Sequence, residues 1–214
     1  MGKLGIKNYD NELAKESAKK TVKEGIDPEK ILDTMTEAIR EIGEKFGKGE
    51  LFLPDLVGAA EAMSNATPVV KEEIEMSGEE MESAGIVVLG TVEGDIHDIG
   101  KTMVKAFLTA ENFNVIDLGV DIPAEEFLEA IRDNDPQILA MSALMTTTIP
   151  EQRKVIETLK EEGIRDQVKI MIGGAAASQE FADDIGADGY DPTAPGAAKL
   201  AKKLVQSQEV ENGA

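Results

Sequence analysis

Asp95 and His97 are the residues in this chain whose types and spacing are best suited to chemistry. They lie two apart in Gly94-Asp95-Ile96-His97-Asp98-Ile99-Gly100, and His97 is the only histidine among 214 residues. In a loop, that separation lets the carboxylate accept the proton of one imidazole nitrogen, leaving the other nitrogen to donate to a metal. The chain has no cysteine, which removes thiolate metal sites, disulfides and cysteine nucleophiles. One histidine cannot assemble a zinc site of several imidazoles, although carboxylates can complete the shell of another metal. His97 is thereby narrowed to a single axial ligand of a metal held in a larger group, a general base, or a structural residue.

Such a loop needs an element on each side to hold it. Gly85-Ile86-Val87-Val88-Leu89-Gly90 is an apolar run bounded by glycines, the pattern of a buried parallel strand, and Lys101 to Ala110 continues with helical spacing. Further strand candidates at 114–118, 137–142, 168–172 and 188–190 alternate with helices that begin near Gly100, Ala124, Ile149, Ser178 and Pro195. This alternation predicts an α/β domain over residues 84–214: a doubly wound, five-stranded parallel sheet of Rossmann-like or flavodoxin-like type. Small and hydroxyl-bearing residues gather after three of the strands, at Gly94 to Gly100, at Ser142-Ala-Leu-Met-Thr-Thr-Thr148, and at Gly173-Gly174-Ala175. In strand order 2-1-3-4-5 these three loops face one crevice. The end of the second strand, Asp117 to Asp121, is acidic and runs into Ile122-Pro123, and it is not assigned to that crevice. The polar tail Gln206 to Ala214 is expected to fray.

The first half has no strand-like alternation. Asn11 to Glu24 reads as an amphipathic helix with Leu13, Ser17, Ala18, Thr21 and Val22 on one side, stopped near Gly25. Asp27-Pro28 supplies an N-cap and a first-turn proline for a second helix, whose apolar positions run from Ile31 to Phe46. Pro54 opens a third helix, and Pro68 is expected to split it from a fourth that ends near Met76. A four-helix bundle over residues 1–83 is the simplest packing, with the acidic stretch Ser77 to Ser83 as its linker to the second domain.

The totals restrict partners. Hydrophobic residues make up 42% and charged residues 30%, and 42 acidic residues against 22 basic ones give a net charge of -20. That charge repels phosphate backbones and anionic lipid surfaces, so neither nucleic acid nor membrane is an expected partner. No apolar run approaches the roughly 20 residues of a membrane span, and the polar start lacks the apolar core of a signal peptide. A cytoplasmic location is expected.

The set Asp95-x-His97-x-x-Gly100, Ser142-x-Leu144 and Gly173-Gly174, in this order, resembles the signature of cobalamin-binding domains in which a histidine replaces the lower base of the cofactor. Gly94-Asp-Ile-His-Asp-Ile-Gly-Lys101 and Val115-Ile-Asp-Leu-Gly-Val120 with Pro123-Ala-Glu look like segments of the cobalamin-binding module of methionine synthase. They look equally like the small corrinoid proteins of methanol and methylamine methyltransferase systems. Phe46-Gly-Lys-Gly-Glu-Leu-Phe-Leu53-Pro54 and Ala59-Ala60-Glu61-Ala62-Met63 resemble the helical cap that those proteins place over the methyl-bearing face of the corrin. The resemblance extends from about residue 10 to residue 205.

By that resemblance the cofactor is cobalamin, a cobalt corrinoid, with His97 as lower axial ligand and Asp95 and Thr148 continuing a proton relay behind it. Methionine synthase carries serine where this chain has Thr148. Gly94, Ile96, Asp98, Gly100, Ser142, Leu144, Thr146, Gly173, Gly174 and Ala194 would contact the cofactor, and Phe46, Leu53 and Leu56 would touch its upper face. On periodicity alone those last three are bundle core. The implied function is a methyl carrier, which accepts a methyl group on cob(I)alamin from a substrate-specific methyltransferase and passes it to a second methyltransferase, with Ser77 to Ala84 as the hinge of a mobile cap. Such a carrier subunit needs no catalysis of its own. The competing readings are the cobalamin subunit of a carbon-skeleton mutase, a cobalamin-dependent sensor, and a cofactor-free receiver-like domain.

Overall fold

The computed structural model describes residues 2–77 and 83–212. The chain divides into two compact units, residues 1–82 and 83–214. Most of the expected linker and hinge, residues 78–82, lies outside the described residues.

The first unit holds α1 (Gly2–Lys7), α2 (Asn11–Lys23), α3 (Pro28–Gly47) and α4 (Leu53–Ser77). Asp10 caps α2 by accepting the Leu13 N–H at 2.8 Å, and Asp27 caps α3 by accepting that of Glu29 at 3.0 Å, with Pro28 in the first turn. α4 packs on α2 and α3, and α1 packs on all three. Their shared core is built from Ile6, Ala14, Ala18, Met35, Ile39, Leu56, Met63 and Val70.

The number of helices agrees with the expected bundle, but two of the four differ from the sequence reading. Pro68 does not break α4, which runs through it. Pro68 and Ser64, the residue whose carbonyl the missing N–H would have bonded, both lie on the exposed face, so that carbonyl is left to water. The fourth helix is instead α1, in a stretch to which the sequence reading assigns no element. On α2, Leu13 is exposed and Ala14 takes the buried position.

The second unit contains β1 (Ile86–Val92), α5 (Ile99–Ala110), β2 (Asn114–Ile122), α6 (Ala124–Asn134), β3 (Ile138–Ser142), α7 (Ile149–Glu161), β4 (Lys169–Gly173), α8 (Gln179–Ile185), β5 (Gly189–Tyr190) and α9 (Ala194–Asn212). The sheet is wholly parallel in the order β2-β1-β3-β4-β5, as expected. α5 and α9 pack against each other on one face of the sheet, and α6 and α7 on the other. One core lies under α6 and α7, where Val88, Leu139, Ile170 and Ile172 meet Phe127, Ile131, Val155, Ile156 and Leu159. Burial on both faces explains why these strands read as continuous apolar runs. α9 continues to Asn212, through much of the tail expected to fray.

β2 is longer than expected and irregular. Leu89 pairs with Asp117, Gly90 with Gly119 and Val92 with Ile122, so β2 spends one residue more than β1 at each of two places. Such bulges bend a strand and re-aim its side chains. Here they lie beside the His97 loop.

Candidate functional site

The carboxyl edge of the sheet brings the three small-residue loops together. Thr91, Ser142 and Gly173 lie in one row across β1, β3 and β4, so the loops that follow them leave the sheet side by side. The chain then turns at Gly94, which has φ +77, a region that favours glycine.

Asp95 is completely buried beneath this turn. Its Oδ1 lies 2.7 Å from Nδ1 of His97 and accepts the His97 main-chain N–H at 3.1 Å. Its Oδ2 accepts the hydroxyl of Thr148 at 2.6 Å and the N–H of Leu144 at 2.8 Å, with the Met145 N–H at 3.4 Å. The Thr148 hydroxyl has one proton and two acceptors in reach; the carboxylate is nearer than the Met145 carbonyl, which lies at 3.1 Å. Burial pushes the Asp95 carboxyl up, but the hydrogen bonds from Thr148, His97 and Leu144 outweigh it and hold the group well below the usual carboxylate range. Asp95 therefore stays ionised and acts only as an acceptor. Nδ1 of His97 carries the proton, which leaves Nε2 as the donor atom.

Asp95, His97 and Thr148, from two loops, thus meet in one hydrogen-bonded chain. The His97 side chain is about half exposed (48%) while Asp95 behind it is sealed. Around it, Ile96, Ile99, Leu144 and Met145 are the exposed large hydrophobic side chains of this unit among its described residues. All four belong to the loops after β1 and β3 or to the first turn of α5.

The remaining candidates separate by surroundings. A Cβ at Gly100 would meet nothing within 4 Å, and one at Gly173 would meet only the Asp191 carbonyl at 4.0 Å, so both border open space. A Cβ at Gly174, where φ is +109, would fall 1.9 Å from the Ala143 carbonyl oxygen. Gly174 is therefore required by the close approach of the two loops. Ser142 is half-buried, and its hydroxyl makes no hydrogen bond among the described residues. Asp98 stands at the N-cap of α5 without a side-chain cap bond, Thr146 is exposed in the loop after β3, and Ala194 is buried at the start of α9. Phe46, Leu53 and Leu56 lie in the helical unit. Leu56 is core, Phe46 is half-buried, and Leu53 is exposed beside the more exposed Phe52.

Sequence reasoning missed two contributors. The buried Thr91 hydroxyl donates to the His97 carbonyl at 3.1 Å. Asp121, left out of the crevice as part of an acidic strand end, accepts the Gly94 N–H at 2.7 Å. Thr91 was detectable as a hydroxyl at the last apolar positions of β1, whereas Asp121 depends on the bulges of β2 and has no such signal. Asp117 nearby has a structural pairing, accepting from Lys101 at 2.5 Å and from Lys105 at 3.2 Å.

Residues 85–199 match the B12 binding domain family, and residues 4–71 match a second model also described as a B12 binding domain. The chain is 46% identical to the trimethylamine corrinoid protein of Methanosarcina barkeri, over 94% of this chain and 93% of that one. Among solved structures, it resembles the methanol:cobalamin methyltransferase complex MtaBC of Methanosarcina barkeri, with TM-score 0.79 and 33% identity, covering 96% of this chain and 78% of that one. It also resembles a cobalamin-binding protein of Desulfitobacterium hafniense, with TM-score 0.74 and 27% identity, covering 95% and 96% of the two chains. The match to a B12 binding domain sets aside the cofactor-free receiver reading, and the chain belongs to the family of corrinoid proteins built on that domain.

Proposed function

We propose that this chain is a cobalamin-dependent methyl carrier that serves a substrate-specific methyltransferase and a second methyltransferase, with His97 as the axial ligand that holds the cofactor from below. Bound cobalamin supplies a cobalt centre that takes up and releases a methyl group. The residues present suit such a group. Nε2 of His97 is the one donor atom directed away from Asp95, the apolar side chains Ile96, Ile99, Leu144 and Met145 match a large, mostly apolar ring, and Gly100 and Gly173 leave space beside it. The Ser142 hydroxyl is free to bond an appendage that enters the crevice.

The protein's own part is to orient, to exclude water and to hold a proton. With a metal held at Nε2, Nδ1 would keep its proton and donate a hydrogen bond to Asp95. The Asp95 carboxylate, kept in place by the Thr148 hydroxyl and the Leu144 N–H, would hold that proton at Nδ1 and fix the orientation of the ring. The observation that carries the reading is the fully buried, fully hydrogen-bonded Asp95 behind a half-exposed histidine. A carrier is favoured over a mutase subunit or sensor because the match to a methylamine corrinoid protein extends over nearly the full length of both chains. Absorption spectra of the cobalamin-loaded protein test the ligand: His97→Gly is expected to abolish the histidine-ligated spectrum, and an unchanged spectrum would sink the assignment.

A further inference from the structure

We infer that Asp121 is a positioning residue for the His97 loop, acting through the main chain of Gly94 and Asp95; this rests on the reading of His97 as the cobalt ligand. Two hydrogen bonds join the end of β2 to that loop. The Asp121 carboxylate accepts the Gly94 N–H at 2.7 Å, and the Asp121 N–H donates to the Asp95 carbonyl at 3.0 Å. The Asp95 N–H is itself bonded back to the Val92 carbonyl at 3.1 Å, and Thr91 holds the His97 carbonyl. The carboxylate that fixes the imidazole therefore has its own main chain fixed from the neighbouring strand.

Asp121 occupies an uncommon conformation to do this. Its φ is +59, a region that glycine enters freely and that aspartate and asparagine tolerate better than other side chains. The extra β2 residue between Gly119 and Ile122 brings this position level with the turn. A residue needed only for the backbone bend would be served by glycine, and the side chain adds a charge-assisted acceptor for an N–H that begins the ligand loop. Asp121 is exposed, so its loss removes little packing.

The test compares wild type, Asp121→Gly, Asp121→Asn and His97→Gly. Glycine keeps the backbone conformation and removes the acceptor, while asparagine keeps both. In the cofactor-free protein, exchange of the Gly94 amide should be slow and should speed up about tenfold or more in Asp121→Gly, the factor expected for a lost hydrogen bond to a charged group. In the cobalamin-loaded protein, Asp121→Gly should lower the histidine-ligated fraction, and Asp121→Asn should restore both readouts. A rapidly exchanging Gly94 amide in the wild type, or a wild-type ligated fraction in Asp121→Gly, overturns the role of Asp121 alone. Identical spectra for wild type and His97→Gly overturn the ligand reading and this inference with it.

Discussion

The Asp95 carboxylate stands 2.7 Å from Nδ1 of His97, although Asp95 is wholly buried and His97 is half open to solvent. A buried charge is costly unless it is paired and hydrogen-bonded. Here Oδ1 serves the histidine and Oδ2 serves Thr148 and the Leu144 N–H, so the arrangement is satisfied before any ligand arrives. The histidine is thus presented with one nitrogen fixed and the other outward.

Thr148 should contribute measurable stability through that carboxylate. Thr148→Val keeps the branched shape and removes the hydroxyl, and it is expected to cost about 1.5–3 kcal/mol, the range for a hydrogen bond to a charged group. Thr148→Ser retains the donor and should lose much less. Urea unfolding of the cofactor-free variants measures both; a valine variant as stable as wild type would contradict the bond.

Gly100 and Gly174 should respond to alanine in opposite ways. Gly100→Ala meets no atom of the protein, so the cofactor-free melting temperature should hold or rise while cobalamin affinity falls. Gly174→Ala collides with the Ala143 carbonyl at a positive φ, and it should lower stability with or without cofactor. Thermal melts paired with cobalamin titrations separate the two. Unchanged affinity in Gly100→Ala would show that the open space there is not used.

Acid should weaken the Lys101–Asp117 pair. Burial pushes the Asp117 carboxyl up, but the hydrogen bond and charge of Lys101, the Gly119 N–H and Lys105 outweigh it and hold the group below the usual range. A carboxylate whose folded pKa is depressed contributes its stability in full above its unfolded value, about 3.9, and loses it as pH falls through the folded value. Asp117→Asn also leaves the nearly buried Lys101 (4% exposed) without its charge partner, at a cost of about 3 kcal/mol near neutral pH. The gap between wild type and Asp117→Asn should narrow below about pH 4. A gap constant with pH in denaturant titrations would refute the pairing.

These outcomes bear on how far the chain was legible from its residues. The parallel sheet followed from the alternation of apolar runs with helices, because such a sheet buries its strands on both faces, and the three converging loops followed from small-residue clusters placed on the common strand order. The Asp95–His97–Thr148 chain followed from residue types and the cobalamin-binding resemblance together. Asp121 did not, since its place depends on two β2 bulges set by pairing with β1. The continuity of α4 through Pro68 was equally hidden: burial of Ala66, Thr67 and Val70 on one side outweighs a missing bond on the exposed side. Gly173 and Gly174 read alike in sequence, and only the Ala143 carbonyl distinguishes them.

The central claim is that His97 binds cobalt through Nε2. Because this chain has a single histidine, uniform ¹⁵N-histidine labelling marks one side chain. Electron paramagnetic resonance of the cobalt(II) form of the loaded protein then reads the axial nitrogen directly. The account predicts that the nitrogen splitting changes from a triplet to a doublet on labelling and vanishes in His97→Gly. A triplet that persists after labelling would mean that another nitrogen holds the cobalt.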